Sequence, residues 1–236
     1  MTARQLRLAS GLVMLSYLSL HLLSHMLGLF SLALAEQALR FGVGLWHSWP
    51  GTLALYGAFA LHFALALRTI YQRRNWRLPV VEWLRLWAGF SLPALLMGHA
   101  VGTRVAASVY GLEPSYERVV DGLVRSGSEG WQIALLAPGW LHGCLGLWLT
   151  LRTWPLAQRM RPLLLAVLIA VPMLSAAGFW RMSRELEAHP PAIRLAHDDP
   201  RPQALQHWRQ SLLAVYLGLL LATLMAGRVA DRVARR

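Results

Sequence analysis

Hydrophobic residues along this chain gather into six long runs that are separated by shorter polar segments. The runs cover about residues 8–35, 52–71, 80–107, 131–153, 162–180 and 208–226. At ~1.5 Å of rise per helical residue, runs of this length cross a hydrocarbon core of ~30 Å. The pattern therefore predicts an all-α membrane protein with six transmembrane helices.

Composition and charge agree with this prediction. Charged residues make up 14% of the 236 residues, whereas about a quarter of a soluble domain is charged. The net charge is +12, and every basic residue counted is an arginine. With the N-terminus inside, the inner segments hold fourteen arginines and two acids, while the outer segments hold nine of each. This distribution follows the positive-inside rule, so it predicts cytoplasmic N- and C-termini and no nucleic-acid partner.

Cysteine content limits the chemistry that the chain can support. Cys144 is the only cysteine, and the sequence contains no C-x-x-C-H motif. One thiol cannot build a disulfide framework, a Cys-ligated zinc site or an iron–sulfur cluster, and covalent haem attachment is excluded as well. A haem in this protein must be held without thioether bonds.

An internal repeat relates the first four predicted spans. The first span contains Arg-Leu-x-x-Gly-x9-His from Arg7 to His21, and the third contains the same pattern from Arg85 to His99. The second and fourth spans share a Leu-His dipeptide that ends in His62 and His142. The repeat predicts two copies of one helical hairpin, which form a four-helix bundle in residues 1–155. Residues 156–236 then add two transmembrane helices and a basic cytoplasmic end.

The histidines of the repeat sort into two depths. His21 and His99 each lie 14 residues beyond an inner arginine, or roughly 21 Å at helical rise. His62 and His142 lie only 6 and 10 residues before one. Each level thus offers two imidazoles, the axial set of a six-coordinate haem iron, which favours electron transfer over oxygen binding. The alternative reading is structural, with the histidines hydrogen-bonded across helices or serving as proton relays.

The outer level has a second candidate ligand. His25 lies one turn beyond His21 on the same helical face, so either residue can be the ligand. The repeat favours His21, because the position equivalent to His25 in the third span is Thr103. The other histidine then remains for a hydrogen bond to a haem propionate or a quinone.

Two further groups of residues are candidates for roles near the outer level. Arg104, five residues beyond His99, is a possible partner for a haem propionate or can extend to the interface. Quinone sites have no spacing rule, and residues near the outer level, including His25, Glu36 and His47, are the first ones to test.

Two stretches in this arrangement resemble a known family. Residues 98–107, Gly-His-Ala-Val-Gly-Thr-Arg-Val-Ala-Ala, and 141–148, Leu-His-Gly-Cys-Leu-Gly-Leu-Trp, are similar to the membrane anchors of diheme succinate:quinone oxidoreductases. The likeness covers about residues 7–155. It implies two haem b groups, one shared by His21 and His99 and the other by His62 and His142, with quinone as the redox partner.

The number of spans points to a particular variant of this family. The anchors usually have five spans, whereas this chain has six, and its residues 21–29 are closer to the hexahelical haem-bearing membrane domains of bacterial class III adenylate cyclases. That resemblance implies a multi-pass protein of the bacterial inner membrane and a homodimer that controls cytoplasmic ferredoxin-like and cyclase domains. No ferredoxin cysteines or cyclase residues occur in this chain. The alternatives are a respiratory anchor that conducts electrons to redox subunits, and a haem-free transporter or scaffold.

Overall fold

The protein is all-helical in a computed structural model that describes residues 2–73, 75–191 and 199–234. Helices make up 87% of the structure, and the described residues form no strand. The helices are α1 (Ala3–Leu27), α2 (Leu32–Trp46), α3 (Trp49–Gln72), α4 (Val80–Ala100), a π-helical segment (Val101–Val105), α5 (Ala106–Tyr110), α6 (Tyr116–Arg125), α7 (Glu129–Leu151), α8 (Pro155–Arg159), α9 (Arg161–Ala188) and α10 (Arg201–Ala234).

Six of these units are long and apolar enough to cross a membrane, which confirms the predicted six-helix membrane fold. They are α1, α3, the continuous unit Val80–Tyr110, α7, α9 and α10. The start of α1 and the ends of α3 and α10 lie on one face of the bundle. Arg7 donates from Nη2 to Thr69 Oγ1 at 2.9 Å, and a Cβ on Gly227 would lie 2.8 Å from the carbonyl oxygen of Tyr71. We call this the inner face and the opposite one the outer face.

The first hydrophobic run is not one helix, so the predicted span of residues 8–35 is wrong at its outer end. Helix α1 ends at Leu27, and α2 begins after Ser31, whose hydroxyl accepts the main-chain N–H of Leu34 at 3.1 Å. Serine caps the new helix because its oxygen satisfies an N–H that has no partner within the helix. Helix α2 then folds back along α1, and Trp46 packs edge-on against Tyr17 with ring centroids 5.5 Å apart.

The outer side contains more helix than the sequence predicted. Residues 111–130, part of the polar segment between the third and fourth hydrophobic runs, contain α6, which is capped by Ser115 accepting the N–H of Arg118 at 3.2 Å. The polar segment between the last two hydrophobic runs, residues 181–207, is also partly helical, because α9 continues to Ala188 and α10 already begins at Arg201. These helical segments contain many polar residues, so their low hydropathy does not distinguish them from loops.

Helix α1 lies at the centre of the structure and packs against α2, α3, α7 and α9. Its crossing with α9 is close because small residues meet there: Ser175 donates to the carbonyl oxygen of Leu22 at 3.0 Å. A Cβ on Gly178 would lie 2.0 Å from the carbonyl oxygen of His25, so only glycine permits this approach. Small residues allow helix backbones to come together in membranes, where the hydrophobic effect does not drive packing.

A π-helical turn interrupts the third span directly after His99. The segment Val101–Val105 separates α4 from α5, and Thr103 Oγ1 donates to the carbonyl oxygen of His99 at 2.7 Å. A π turn changes the angular register of every residue that follows it, and such turns are frequent at functional sites. In this register Arg104 faces α3 and donates from Nη2 to Thr52 Oγ1 at 2.9 Å.

Candidate functional site: two histidine clusters inside the bundle

The inner cluster consists of two histidines from different hairpins. His62 on α3 and His142 on α7 have ring centroids 6.1 Å apart, with their planes at 80°. With metal–nitrogen bonds of about 2 Å, two imidazoles on opposite sides of one metal ion have ring centroids roughly 6 Å apart. The separation of these two rings is therefore close to that of an axial ligand pair.

Hydrogen bonds fix the orientation and the tautomer of both inner rings. His142 Nδ1 lies 3.0 Å from the carbonyl oxygen of Arg85, which can only accept, so Nδ1 carries the proton. His62 Nδ1 lies 3.2 Å from Ser10 Oγ, and the Ser10 hydroxyl already donates to Leu6 at 2.8 Å. Nδ1 of His62 is therefore also the donor. Both rings keep an unprotonated Nε2, as a metal-binding histidine with a second hydrogen-bond partner does.

The structure explains why the repeat contains a glycine. Gly11 faces the ring of His62, and Gly89 faces the ring of His142; a Cβ at these positions would lie 3.6 Å and 2.5 Å, respectively, from the Cε1 atom of the ring. The Arg-Leu-x-x-Gly pattern thus supplies two things to the histidine of the next helix. Its arginine carbonyl lies beside the ring, and its glycine leaves room for it.

The outer cluster contains three histidines. His21 and His99 have ring centroids 5.5 Å apart, and His21 and His25 have centroids 4.7 Å apart. The Nε2 atoms of His21 and His25 are 3.2 Å from each other. The structure thus brings together the outer pair that the sequence predicted and places His25 against it. Gln132 on α7 lies within hydrogen-bonding reach of the His99 ring.

Tyr116 on α6 connects His25 to a chain of hydrogen bonds that the sequence did not reveal. Its hydroxyl lies 3.1 Å from His25 Nδ1 and 2.7 Å from Ser24 Oγ, and Ser24 donates in turn to the carbonyl oxygen of His21 at 2.7 Å. Since Ser24 uses its proton there, the Tyr116 hydroxyl donates to Ser24 and accepts from His25 Nδ1. The Nε2 atom of His25 then carries the lone pair, and His21 donates to it.

Residues outside the first four spans close the outer cluster. Phe179 on α9 packs edge-on against His25 with ring centroids 5.7 Å apart. Glu36 on α2 accepts the main-chain N–H of Tyr116 at 2.8 Å and so holds α6 over the cluster. Burial raises the pKa of Tyr116, which keeps its hydroxyl protonated and able to donate.

A narrow cleft between α1 and α2 reaches the outer cluster. It has a volume of about 50 Å³, and its lining includes Tyr17, His21, Trp46 and His47. Partial burial and the nearby positive charge of Arg104 lower the pKa of His47, so it is neutral at physiological pH. Of the residues proposed from sequence to lie near a quinone, His47 lines this cleft directly and Glu36 does not.

The other histidines that the structure describes lie away from both clusters. His189 caps the C-terminal end of α9, His207 lies in the second turn of α10, and His197 is outside the described residues. No group of three or more His, Cys, Asp or Glu side chains in the described part of the chain is arranged to hold a metal ion. Axial ligation of haem iron needs only two such side chains.

No family model, no curated protein and no solved structure matches the chain.

Several residues around the two clusters were not predicted from the sequence, although the pattern of α6 indicated some of them. The spacing of Tyr116, Val120 and Val124 after Ser115 is that of a capped amphipathic helix, which identifies the buried face of α6. Ser24 and Gly178 carried no comparable signal, because small residues occur throughout these spans.

Proposed function

We propose that this protein is a diheme b-type cytochrome domain of the bacterial inner membrane that exchanges electrons with quinone. His62 and His142 would hold the inner haem, and His99 with a histidine of α1 would hold the outer one. The N- and C-termini are cytoplasmic, as the arginine distribution indicates. The redox state of the domain controls a cytoplasmic effector at the end of α10, which we propose to be an adenylate cyclase.

The observation that carries this proposal is the geometry of the inner pair. Two imidazoles from repeat-related helices stand 6.1 Å apart, and both have their Nδ1 proton bonded to oxygen so that Nε2 can ligate. One hydrogen bond to a neighbouring helix would satisfy a histidine that acts only as a polar link, so the ring spacing, close to that of two ligands of one metal ion, is what favours the proposal.

The chain's own residues perform three tasks in this function. Arg85 and Ser10 orient the inner rings and raise the basicity of their ligating nitrogens. Tyr116 and Phe179 cover the outer cluster and keep water from it. When bound, haem supplies one-electron redox chemistry, and two imidazole ligands leave iron no free position for oxygen.

Either His21 or His25 could be the second ligand of the outer haem, and two observations favour different choices. The repeat favours His21 as the ligand, and the 5.5 Å separation from His99 agrees with it. The hydrogen-bond chain through Tyr116 favours His25, because it directs the proton of that ring to Nδ1. Of the two, His21 lines the cleft and His25 does not, so His21 is the one that would bond a quinone oxygen there if His25 is the ligand.

The proposal has two versions, which differ in the partner that receives the signal or the electrons. A redox sensor requires a downstream cyclase with a ferredoxin-like module, and such a cyclase needs a homodimer to complete its catalytic sites. A respiratory anchor requires flavin and iron–sulfur subunits instead. Six spans and a basic helical end at α10 favour the first version, whereas the diheme centre is common to both.

The test is haem quantitation on purified protein from cells well supplied with haem. We expect about two haem b per chain, one of which is lost on His62→Ala or His142→Ala and the other on His99→Ala. Comparison of His21→Ala with His25→Ala identifies the fourth ligand, and His207→Ala is the matched control because His207 lies outside both clusters. Colourless wild-type protein would contradict the proposal and leave the histidines as structural links in a transporter or scaffold.

A further inference from the structure

Arg209 on α10 points into the membrane rather than towards the outer face. Its neighbour Trp208 donates from Nε1 to the hydroxyl of Tyr110 at 3.2 Å, at the outer end of the third span. Arg209 extends in the other direction: a Cβ built on Gly98 would lie 3.6 Å from its Nε atom and 3.8 Å from its Cζ atom. Gly98 is 12 residues below Tyr110, a distance of about 18 Å along a helix.

This orientation is costly unless an anion is present. A basic side chain near the end of a transmembrane helix normally extends to the interface, where water and headgroups solvate its charge. Within the described residues, Arg209 has no carboxylate at ion-pair distance. Its guanidinium packs instead beside Gly98, where a Cβ would come into ordinary van der Waals contact with it.

The position of this guanidinium indicates what the anion belongs to. Gly98 directly precedes His99, whose ring lies 5.5 Å from that of His21 in the outer cluster. Two other arginines lie in this region: Arg104 bonds Thr52 on α3, and Arg118 donates to the carbonyl oxygens of Glu113 and Gly102. Arg209 differs from both, because its guanidinium forms no hydrogen bond or ion pair within the described residues.

We propose that Arg209 binds a carboxylate of the group held at the outer histidine pair, which for haem b is a propionate. This inference rests on the proposed function. The fork of an arginine bonds a carboxylate through two parallel N–H···O contacts, and such contacts are stronger than those between neutral groups. Because Arg209 belongs to α10, the ion pair also attaches the helix that ends at the inner face to the outer redox centre.

The experiment is a redox titration of both haems in purified, full-length wild type, Arg209→Gln and Arg209→Lys. Loss of the positive charge beside the outer centre favours its oxidised form, which is more positive by one charge. We expect the midpoint potential of one haem to fall by an amount that corresponds to about a tenfold change in the ratio of oxidised to reduced form, or ~59 mV. The lysine variant should shift less, and the second haem should not shift.

Arg184→Gln is the matched control, because Arg184 is an outer arginine on α9 that lies over Trp180 and away from α4. An equal shift in this control, or unchanged potentials in Arg209→Gln, would overturn the inference. If the potentials are unchanged and Arg209→Gln also loses co-purifying phospholipid phosphate, the anion bound by Arg209 is a lipid headgroup and not a haem propionate. Wild-type protein without haem would instead contradict the proposed function itself, which makes the two failures distinguishable.

Discussion

Gly89→Ala tests whether the repeat glycine positions the histidine that it faces, and Gly11→Ala is the matched control. A Cβ on Gly89 would lie 2.5 Å from Cε1 and 2.8 Å from Nδ1 of His142, whereas a Cβ on Gly11 would lie 3.6 Å from Cε1 of His62. Carbon atoms pack best at about 3.5–4.0 Å, so Gly89→Ala requires the His142 ring to retreat by about 1 Å. Gly11→Ala adds only an ordinary van der Waals contact.

The energetic cost of Gly89→Ala follows from these distances. Overpacking of this kind costs about 1–3 kcal/mol. The displaced His142 ring also loses its bond to the Arg85 carbonyl oxygen, now 3.0 Å long, at about 0.5–1.5 kcal/mol. Replacing glycine by alanine in a helix returns about 1 kcal/mol. The net loss is therefore ~0.5–3.5 kcal/mol for Gly89→Ala, while Gly11→Ala is neutral or gains up to ~1 kcal/mol.

The assay is haem content per chain, combined with thermal loss of the Soret absorbance. We expect Gly89→Ala to retain one haem of two, or to release the inner haem at lower temperature, because its ligand is displaced and its Nδ1 is no longer bonded. Gly11→Ala should behave as wild type. If both variants keep two haems with equal thermal stability, or if both lose the same haem, then the contact between the repeat glycine and the histidine does not position the ligand.

The remaining predictions concern the outer cluster. Gly178→Ala places a Cβ 2.0 Å from the carbonyl oxygen of His25 and should destabilise the protein by about 1–3 kcal/mol. Gly146→Ala should not, because a Cβ there meets nothing within 4 Å. Equal melting temperatures of the two variants would refute this. Tyr116→Phe leaves His25 Nδ1 unpaired, and we expect a cost of about 1–3 kcal/mol in thermal unfolding that Tyr56→Phe, at an exposed tyrosine, does not share. Because burial raises the pKa of Tyr116, its stabilising effect is complete below the unfolded value of about 10 and is lost as the pH rises through the folded pKa. Wild type should therefore lose stability above about pH 10 more steeply than Tyr116→Phe, and identical pH profiles would contradict this reasoning.

The six spans and the pairing of the histidines could be predicted because both depend on simple periodic rules. Hydropathy over about 20 residues identifies a spanning helix, and helical rise converts sequence distance into depth. His62 and His142 lie at different distances from their inner arginines in sequence, and the rule still assigned them to one level. The structure brings their rings to 6.1 Å.

The surroundings of the histidines could not be predicted, because they depend on contacts between distant segments. Tyr116 reaches His25 from 91 positions away, and Ser175 reaches Leu22 from 153. Neither residue belongs to the repeat, and neither is unusual where it stands in the sequence. The return of α2 along α1 was missed for a different reason: its residues are as apolar as those of the span before it, so hydropathy did not reveal the turn at residues 28–31.

The two levels of histidines lie at different depths in the electric field of the membrane. Ser10 contacts His62, and 11 residues of α1 separate Ser10 from His21, which places the two clusters about 16 Å apart along the helix. This is about half of a hydrocarbon core of ~30 Å. A full crossing by one charge is worth about 2.3 kcal/mol per 100 mV, so an electron that moves between the clusters gains or loses roughly half of that. In the proposed cytochrome, the transmembrane voltage would change the distribution of the electron between the two levels by about eightfold per 100 mV. The same bundle would then report the energisation of the membrane as well as the reduction of its quinone pool.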